Sequence, residues 1–365
     1  MPEIAPKLGY KPELDGVRAI AVLAVMAFHV ANALPISLRL YGGLQGVDIF
    51  FVLSGYLITT LFLKEFATTG TFDLPRFYGR RAVRLLPALG IAVLLVAIIT
   101  SYLGNTLTHH SMLGLALIAF SFVGNWFQAT GKLGLLTHTW SLAIEEQFYL
   151  LWPVILLLIL RTKRNKTRVV AGMVTLSVAV MITRMALITN GKGALGSYAT
   201  FSRADGIILG SALALFLPRI TPAVRRFLAA GALGIGAAVA LGAFMVGCGH
   251  GLSPNMCFAP GGSIFSTLLI AHLVVAPTGL LASMLAIKPL RSIGRISYGL
   301  YLFHVPLAGW ALLWHRPELV APFVFGGAFV IATASYFLVE RPLVRRFSPR
   351  RRPPVPEVQP LALAA

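Results

Sequence analysis

Ten stretches of roughly twenty largely apolar residues constrain this chain more than any other feature, because about 20 such residues in a helix cross the hydrocarbon layer of a bilayer. They run at 16–34, 44–63, 85–103, 139–160, 169–189, 203–217, 227–247, 262–284, 294–314 and 319–339. In lipid the backbone must satisfy its own polar groups, so each stretch is expected to be helical. The expected fold class is all-α: a polytopic integral membrane protein of about ten transmembrane helices. With 57% hydrophobic and only 12% charged residues, a single aqueous core would leave too little polar surface to cover it. The first stretch is headed by Asp15 and Arg18 and lacks a small-residue cleavage site, so it is expected to be a retained helix rather than a secretory leader.

The net charge of +19 does not point to nucleic acid, because the basic residues lie in short segments between apolar spans rather than on one amphipathic face. Topology explains them. With both termini cytoplasmic, 25 of the 31 Lys and Arg fall inside, and Arg39, Lys132, Arg184, Lys192, Arg203 and Arg316 fall outside or at outer helix ends. A multi-pass protein of the inner (plasma) membrane is expected. Counting the apolar segment 111–127 as an eleventh span would move the basic run 161–168 outside, so it is expected to be re-entrant or surface-lying. Cys248 and Cys257 share an outer loop, where an oxidising compartment permits a disulfide; two unpaired thiols are the alternative. The expected organisation is one membrane domain over 1–347, followed by a disordered, basic, Pro-rich cytoplasmic tail over 348–365.

Ionisable groups at membrane depth are costly, so each is a candidate for function. Arg18 and His29 are eleven residues apart on the first span, which returns them to nearly the same helix face with a rise of about 16 Å. His29 is a candidate general base, or a histidine that bonds a neighbouring helix. Asp48 enters the second span from the outer side and either pairs with His29 or an outer arginine, or caps the helix. Glycines 42, 43, 46 and 55 around it are expected to serve helix packing. Arg80, Arg81 and Arg84 crowd the start of the third span, a pattern suited to phosphate and equally to a topological stop signal.

His138, Glu145 and Trp152 recur every seven residues along the fourth span, and Trp140 lies beside them. A carboxylate there orients an imidazole or binds sugar hydroxyls, and the tryptophans are stacking platforms or interfacial anchors. Arg184, Arg203 and Asp205 add charges on the same side, with the arginines available to neutralise Glu145 and Asp48. Tyr298, Tyr301 and His304 lie in the ninth span, where His304 lines an acceptor path, or serves packing or a kink beside Pro306.

Taken together, LDGVRAIAVLAVMAFH, GVDIFFVLSGYLIT, FYGRRAVRLLPAL, HTWSLAIEEQFYLLWP, RADGIILGSALA, IGRISYGLYLFHVPL and FLVERPL, in this order over residues 12–345, resemble the acyltransferase 3 family. The resemblance implies an O-acyltransferase that moves an acyl group, most commonly acetyl, from cytoplasmic acyl-CoA to a hydroxyl. It implies essential roles for Arg18 and His29, a donor-binding RxxR element at Arg81 and Arg84 with Arg80 beside it, and an acidic position at Glu145. The acceptors it implies are envelope carbohydrates such as O-antigen of lipopolysaccharide, exopolysaccharide and nodulation oligosaccharides, or glycosylated metabolites such as macrolides.

On this basis acyl-CoA is a substrate rather than a bound cofactor, and no metal is expected. The partners are the bilayer, acyl-CoA and a carbohydrate. His29, oriented by Asp48 or Glu145, deprotonates the acceptor or carries the acyl group itself. An outer chamber of Glu145, Trp140, Trp152, Arg203 and Asp205, with Tyr298, Tyr301 and His304, receives the acceptor. Two departures from the family pattern stand out: Ala19 where Gly is common, and a chain that ends soon after the tenth span, which suggests a stand-alone form without the hydrolase-like domain of many relatives. A secondary transporter is the rival from another class; it gives no role to Arg81 and Arg84, and no inverted repeat with broken helices supports it.

Overall fold

The structure is a computed structural model that describes residues 10–34, 40–103, 111–128, 133–162, 165–250, 260–311 and 316–347. Every regular element among these residues is helical. In chain order they are α1 (Pro12–Ala33), α2 (Gln45–Thr69), α3 (Leu74–Leu103), α4 (Met112–Phe120), α5 (Gly124–Gln128) and α6 (Trp140–Arg161). Then follow α7 (Lys166–Thr189), α8 (Gly193–Tyr198), α9 (Thr200–Arg203), α10 (Asp205–Phe216), α11 (Pro222–Ala229) and α12 (Gly231–His250). The last six are α13 (Gly261–Val275), α14 (Leu280–Leu285), α15 (Lys288–Arg295), α16 (Ser297–Ala311), α17 (Pro317–Ala334) and α18 (Arg341–Phe347). A short π-helical stretch, Ser335–Glu340, joins α17 to α18 without a break.

Seven helical stretches among the described residues are long and apolar enough to cross a bilayer: Pro12–Asn32, Tyr41–Thr69, Leu74–Tyr102, Gly134–Arg161, Lys166–Thr189, Gly231–Cys248 and Pro317–Phe347. The other three expected spans coincide with shorter helices, α10 of 12 residues and α13 and α16 of 15 each. Segment 111–127 breaks at Phe122, whose φ of 54° is left-handed, into α4 and α5, each well short of the roughly 20 residues a crossing needs. Cys257 and the tail 348–365 lie outside the described residues.

The solvent of this fold is legible on its surface. Leu150, Leu151, Val154, Ile155 and Leu158 of α6 are exposed, while Trp152 and Leu156 of the same helix are buried. An apolar face turned outward at helical spacing costs nothing in lipid and would be costly in water. Inside, one buried cluster joins α1 and α2 to α3, α16 and α17, and a second joins α1 and α2 to α10, α12 and α13.

Between α2 and α10 the backbones touch, because neither helix carries a side chain at the crossing. A methyl group added to Gly55 would strike the Ile207 carbonyl, and one added to Gly210 would strike the Val52 carbonyl. Gly46 meets the Ala21 carbonyl of α1 in the same way. Lipid supplies no hydrophobic drive between helices, so close van der Waals contact of this kind holds them together. Gly210→Leu is therefore expected to lower the stability of purified protein by about 1–3 kcal/mol, read as a drop in thermal midpoint in detergent. An unchanged midpoint would show that the α2–α10 contact is not tight.

Candidate active site

Arginines from the N-terminal halves of α1 and α3 meet in one cavity of about 150 Å³, lined by Arg18, Arg81 and Arg84 with Glu145, Ser141, Ser54, Tyr149, Tyr298 and Tyr301 among others. Three guanidinium groups thus face a single lining carboxylate. They are not equivalent. Arg18 is held by Asp15 at 3.2 Å, and the other Asp15 oxygen accepts a hydrogen bond from the Tyr10 hydroxyl at 2.8 Å. Arg81 grips both oxygens of Glu146 through its Nε at 2.8 Å and through Nη2, and its guanidinium lies 3.6 Å above the centre of the Tyr149 ring. Planar stacking and a bidentate carboxylate fix its plane and engage its Nε and Nη2 edge. Arg84 is exposed, and no carboxylate among the described residues lies within ion-pair distance of it; Glu340, whose Oε1 accepts from Ser335 at 2.8 Å, acts on it only at longer range. Arg80, next to Arg81 in α3 and turned about 100° from it, does not line the cavity.

Glu145 belongs to this basic cavity and not to an outer chamber with Trp140, Trp152, Arg203 and Asp205, as the sequence suggested. Its Oε1 accepts from the Ser54 hydroxyl of α2 at 2.9 Å. The physical reason is rotation: on α6, Glu145 and Glu146 both turn toward α2 and α3, where the arginines are. Trp152 stacks on Phe148 with ring centres 5.3 Å apart, and its Nε1 donates to Thr59 Oγ1 at 2.8 Å, so it is a packed core residue. Trp140 is also buried, edge-on to Phe51 and Tyr198.

The expected acceptor residues Arg203 and Asp205 are likewise closed off. Asp48 pairs with Arg203 at 2.9 Å and Asp205 with Arg184 at 2.7 Å, all four side chains almost completely buried. Asp48 therefore takes the outer arginine and does not orient His29. Two opposite charges in adjacent pairs compensate one another where lipid cannot. Glu145 is not neutralised by either of these arginines. Glycine at position 262 leaves room for these groups, since a methyl group there would press on the Gln45 and Asp48 side chains.

His29 lies about 16 Å along α1 from Arg18 and is half-buried, outside the cavity lining. Its Nδ1 is 3.0 Å from the Val25 carbonyl and 3.1 Å from His304 Nε2. His304 is fully buried, with its Nδ1 3.1 Å from the Leu300 carbonyl. Its Nε2 contact is to His29. A third imidazole, His138, completes the cluster with its ring centre 5.4 Å from that of His304. Pro306 explains how it is held. Proline has no N–H, so the Leu302 carbonyl one turn earlier lacks its helical donor, and His138 Nε2 lies 3.1 Å from it. The helix continues through Pro306 with this bond in place.

Between cavity and histidines stands Tyr301. Its hydroxyl donates to the His138 carbonyl at 2.6 Å and lies 2.6 Å from Ser141 Oγ, while its ring is 5.7 Å from that of His304. Tyr298 lines the same cavity and donates to the Leu85 carbonyl at 3.0 Å. Both tyrosines thus belong to the arginine side. Sequence reasoning placed His138 on the stripe of Glu145 without assigning it a task, and it missed Ser54, Ser141 and Tyr149, which carry no charge or repeat to mark them.

The profile of the Acyltransferase domain family, acyltransferase 3, matches residues 11–340. Peptidoglycan O-acetyltransferase OatA of Listeria monocytogenes is 33% identical over 357 residues, covering 92% of this chain and 56% of that protein. O-acetyltransferase OatA of Staphylococcus aureus is 31% identical over 360 residues, covering 92% of this chain and 58% of that protein. The chain spans a little over half the length of these curated relatives. No solved structure matches it. A match over nine-tenths of the sequence, on a helical membrane scaffold with arginines and a histidine where the motifs place them, settles the membership: this chain belongs to the acyltransferase 3 family.

Proposed function

We propose that this protein is a membrane O-acyltransferase that moves an acetyl group from acetyl-CoA to a carbohydrate hydroxyl, with peptidoglycan the first acceptor to test. The acceptor class comes from the relatives named as peptidoglycan O-acetyltransferases. The observation that carries the chemistry is the cavity in which Arg18, Arg81 and Arg84 converge below Tyr301, one layer from His29. Arginine forks suit the phosphates of coenzyme A. A volume of about 150 Å³ is below the roughly 300–1,000 Å³ that encloses a whole ligand. The cavity therefore takes the pantetheine arm, with its thioester end directed past Tyr301 toward His29, and the phosphates stay at its basic mouth.

In this scheme His29 removes the proton of the acceptor hydroxyl as its oxygen bonds to the thioester carbonyl carbon. The carbon–sulfur bond breaks, and the coenzyme thiolate takes up the proton from His29. The excess of Lys and Arg in the segments assigned inside supports a cytoplasmic donor and a cytoplasmic N-terminus. Of the arginines, Arg84 is the uncommitted one and Arg81 a scaffold locked by Glu146. Arg84→Ala is expected to raise the KM for acetyl-CoA about 10- to 100-fold, the loss of one charged hydrogen-bonding group, with kcat little changed. Equal KM values for Arg84→Ala and the parent protein would remove Arg84 from the donor site.

The proposal is tested with purified protein in lipid nanodiscs, acetyl-CoA carrying a labelled acetyl group, and soluble peptidoglycan fragments. Labelled, base-labile ester on the glycan is the expected product. A protein that binds acetyl-CoA yet labels neither peptidoglycan nor any other carbohydrate offered would refute carbohydrate O-acetylation.

A further inference from the structure

His29, His138 and His304 form a cluster in which the proton positions follow from their carbonyl partners. A carbonyl oxygen only accepts, so a ring nitrogen beside one must carry the hydrogen. His304 Nδ1 faces the Leu300 carbonyl at 3.1 Å and is therefore N–H, which leaves His304 Nε2 as a bare lone pair in the neutral ring. His29 Nδ1 faces the Val25 carbonyl at 3.0 Å and is likewise N–H. The contact of 3.1 Å between His29 Nδ1 and His304 Nε2 then has one consistent direction, with His29 donating and His304 accepting. His29 Nδ1–H is shared between two acceptors, and His29 Nε2 is left without a hydrogen.

We infer that His304 is a positioning residue for the acyl transfer proposed above: it fixes the tautomer and ring plane of His29 so that Nε2 is the basic atom. Val25 alone does not do this. It lies on the same helix turn as His29 and allows the ring to tilt about that bond, whereas His304 comes from α16 and adds a second, crossing constraint. A carboxylate commonly fills this place beside a catalytic imidazole, but neither Asp48 nor Glu145 reaches His29: one is paired with Arg203 and the other is bonded by Ser54.

His304 is in turn held from behind. Its ring lies 5.4 Å from that of His138 and 5.7 Å from that of Tyr301, and both of these are tied to α16 or to each other, His138 through the Leu302 carbonyl and Tyr301 through the His138 carbonyl. His29 keeps partial exposure, whereas His138 and His304 have almost none. The acceptor hydroxyl thus meets His29, and the other two rings act through it. When His29 takes up a proton at Nε2, its Nδ1–H bond to His304 becomes charge-assisted and strengthens.

The test uses the full chain in nanodiscs with acetyl-CoA and the peptidoglycan fragments, comparing the parent protein with His304→Ala, His304→Gln and His29→Ala. His304→Ala is expected to lower kcat about 100-fold, the usual size of a lost orienting partner, while leaving the Kd for acetyl-CoA within about twofold. The amide oxygen of Gln accepts a hydrogen bond, so His304→Gln is expected to recover at least a tenth of the parent kcat. A His304→Ala protein with parental kcat beside an inactive His29→Ala protein would overturn the positioning role and leave the role of His29 intact. Equal losses of kcat, donor affinity and thermal midpoint in both His304 variants would reduce His304 to packing and overturn it as well. Full activity of His29→Ala would instead refute the underlying assignment of the base.

Discussion

His29→Ala is expected to lower acetyl transfer about a thousandfold, within the 10²–10⁴ range for removing a general base, with donor binding preserved. The separation follows from position. His29 lies outside the cavity that holds the arginines, and Tyr301 and His304 stand between them. Acetyl-CoA titrated into the variant should therefore bind as to the parent protein while product formation fails. His29→Gln retains hydrogen bonding but offers no basic nitrogen, so it should be as inactive as the alanine variant. Transfer by His29→Gln at more than a tenth of the parent rate would mean that the imidazole only organises the site.

The second large effect is structural. Asp48→Ala leaves Arg203 buried without its carboxylate and is expected to cost about 3–5 kcal/mol, enough to abolish accumulation of folded protein in the membrane. Removing the pair together, as Asp48→Leu with Arg203→Met, takes away both charges and should recover folded protein beyond either single variant. Monodisperse elution after detergent extraction, with a thermal midpoint, measures both outcomes. If Asp48→Ala folded like the parent protein, the ion pair would be dispensable and Asp48 would return as a candidate for the site. A double variant that folds but is inactive would carry the same message.

These two aspartate and histidine positions looked alike in the sequence. Both are ionisable, both lie in apolar spans, and Asp48 was a candidate partner for His29. They part company because α10 crosses α2 at Gly55 and Gly210, bringing the α9–α10 junction with Arg203 and Asp205 against the start of α2. Asp48 is consumed there. Glu145, read as an outer group because α6 starts on that side, instead sits with Glu146 deep enough to meet the arginines of α3. Adjacent helices run in opposite directions, so early residues of one reach later residues of the next.

By itself the sequence determined what depends on local chemistry and period: a lipid-embedded helical chain, the close packing at Gly42, Gly43, Gly46 and Gly55, and the motifs of its family. Only the tertiary structure decided which carboxylate meets which arginine, that Arg84 remains open while Arg81 is locked, and that His304 rather than an acid stands beside His29. A helical period of 3.6 residues tells which side chains share a face, but not how far neighbouring helices rotate and slide against one another. That rotation and offset are set by close-packed contacts distant in sequence, and they determine every pairing in this site.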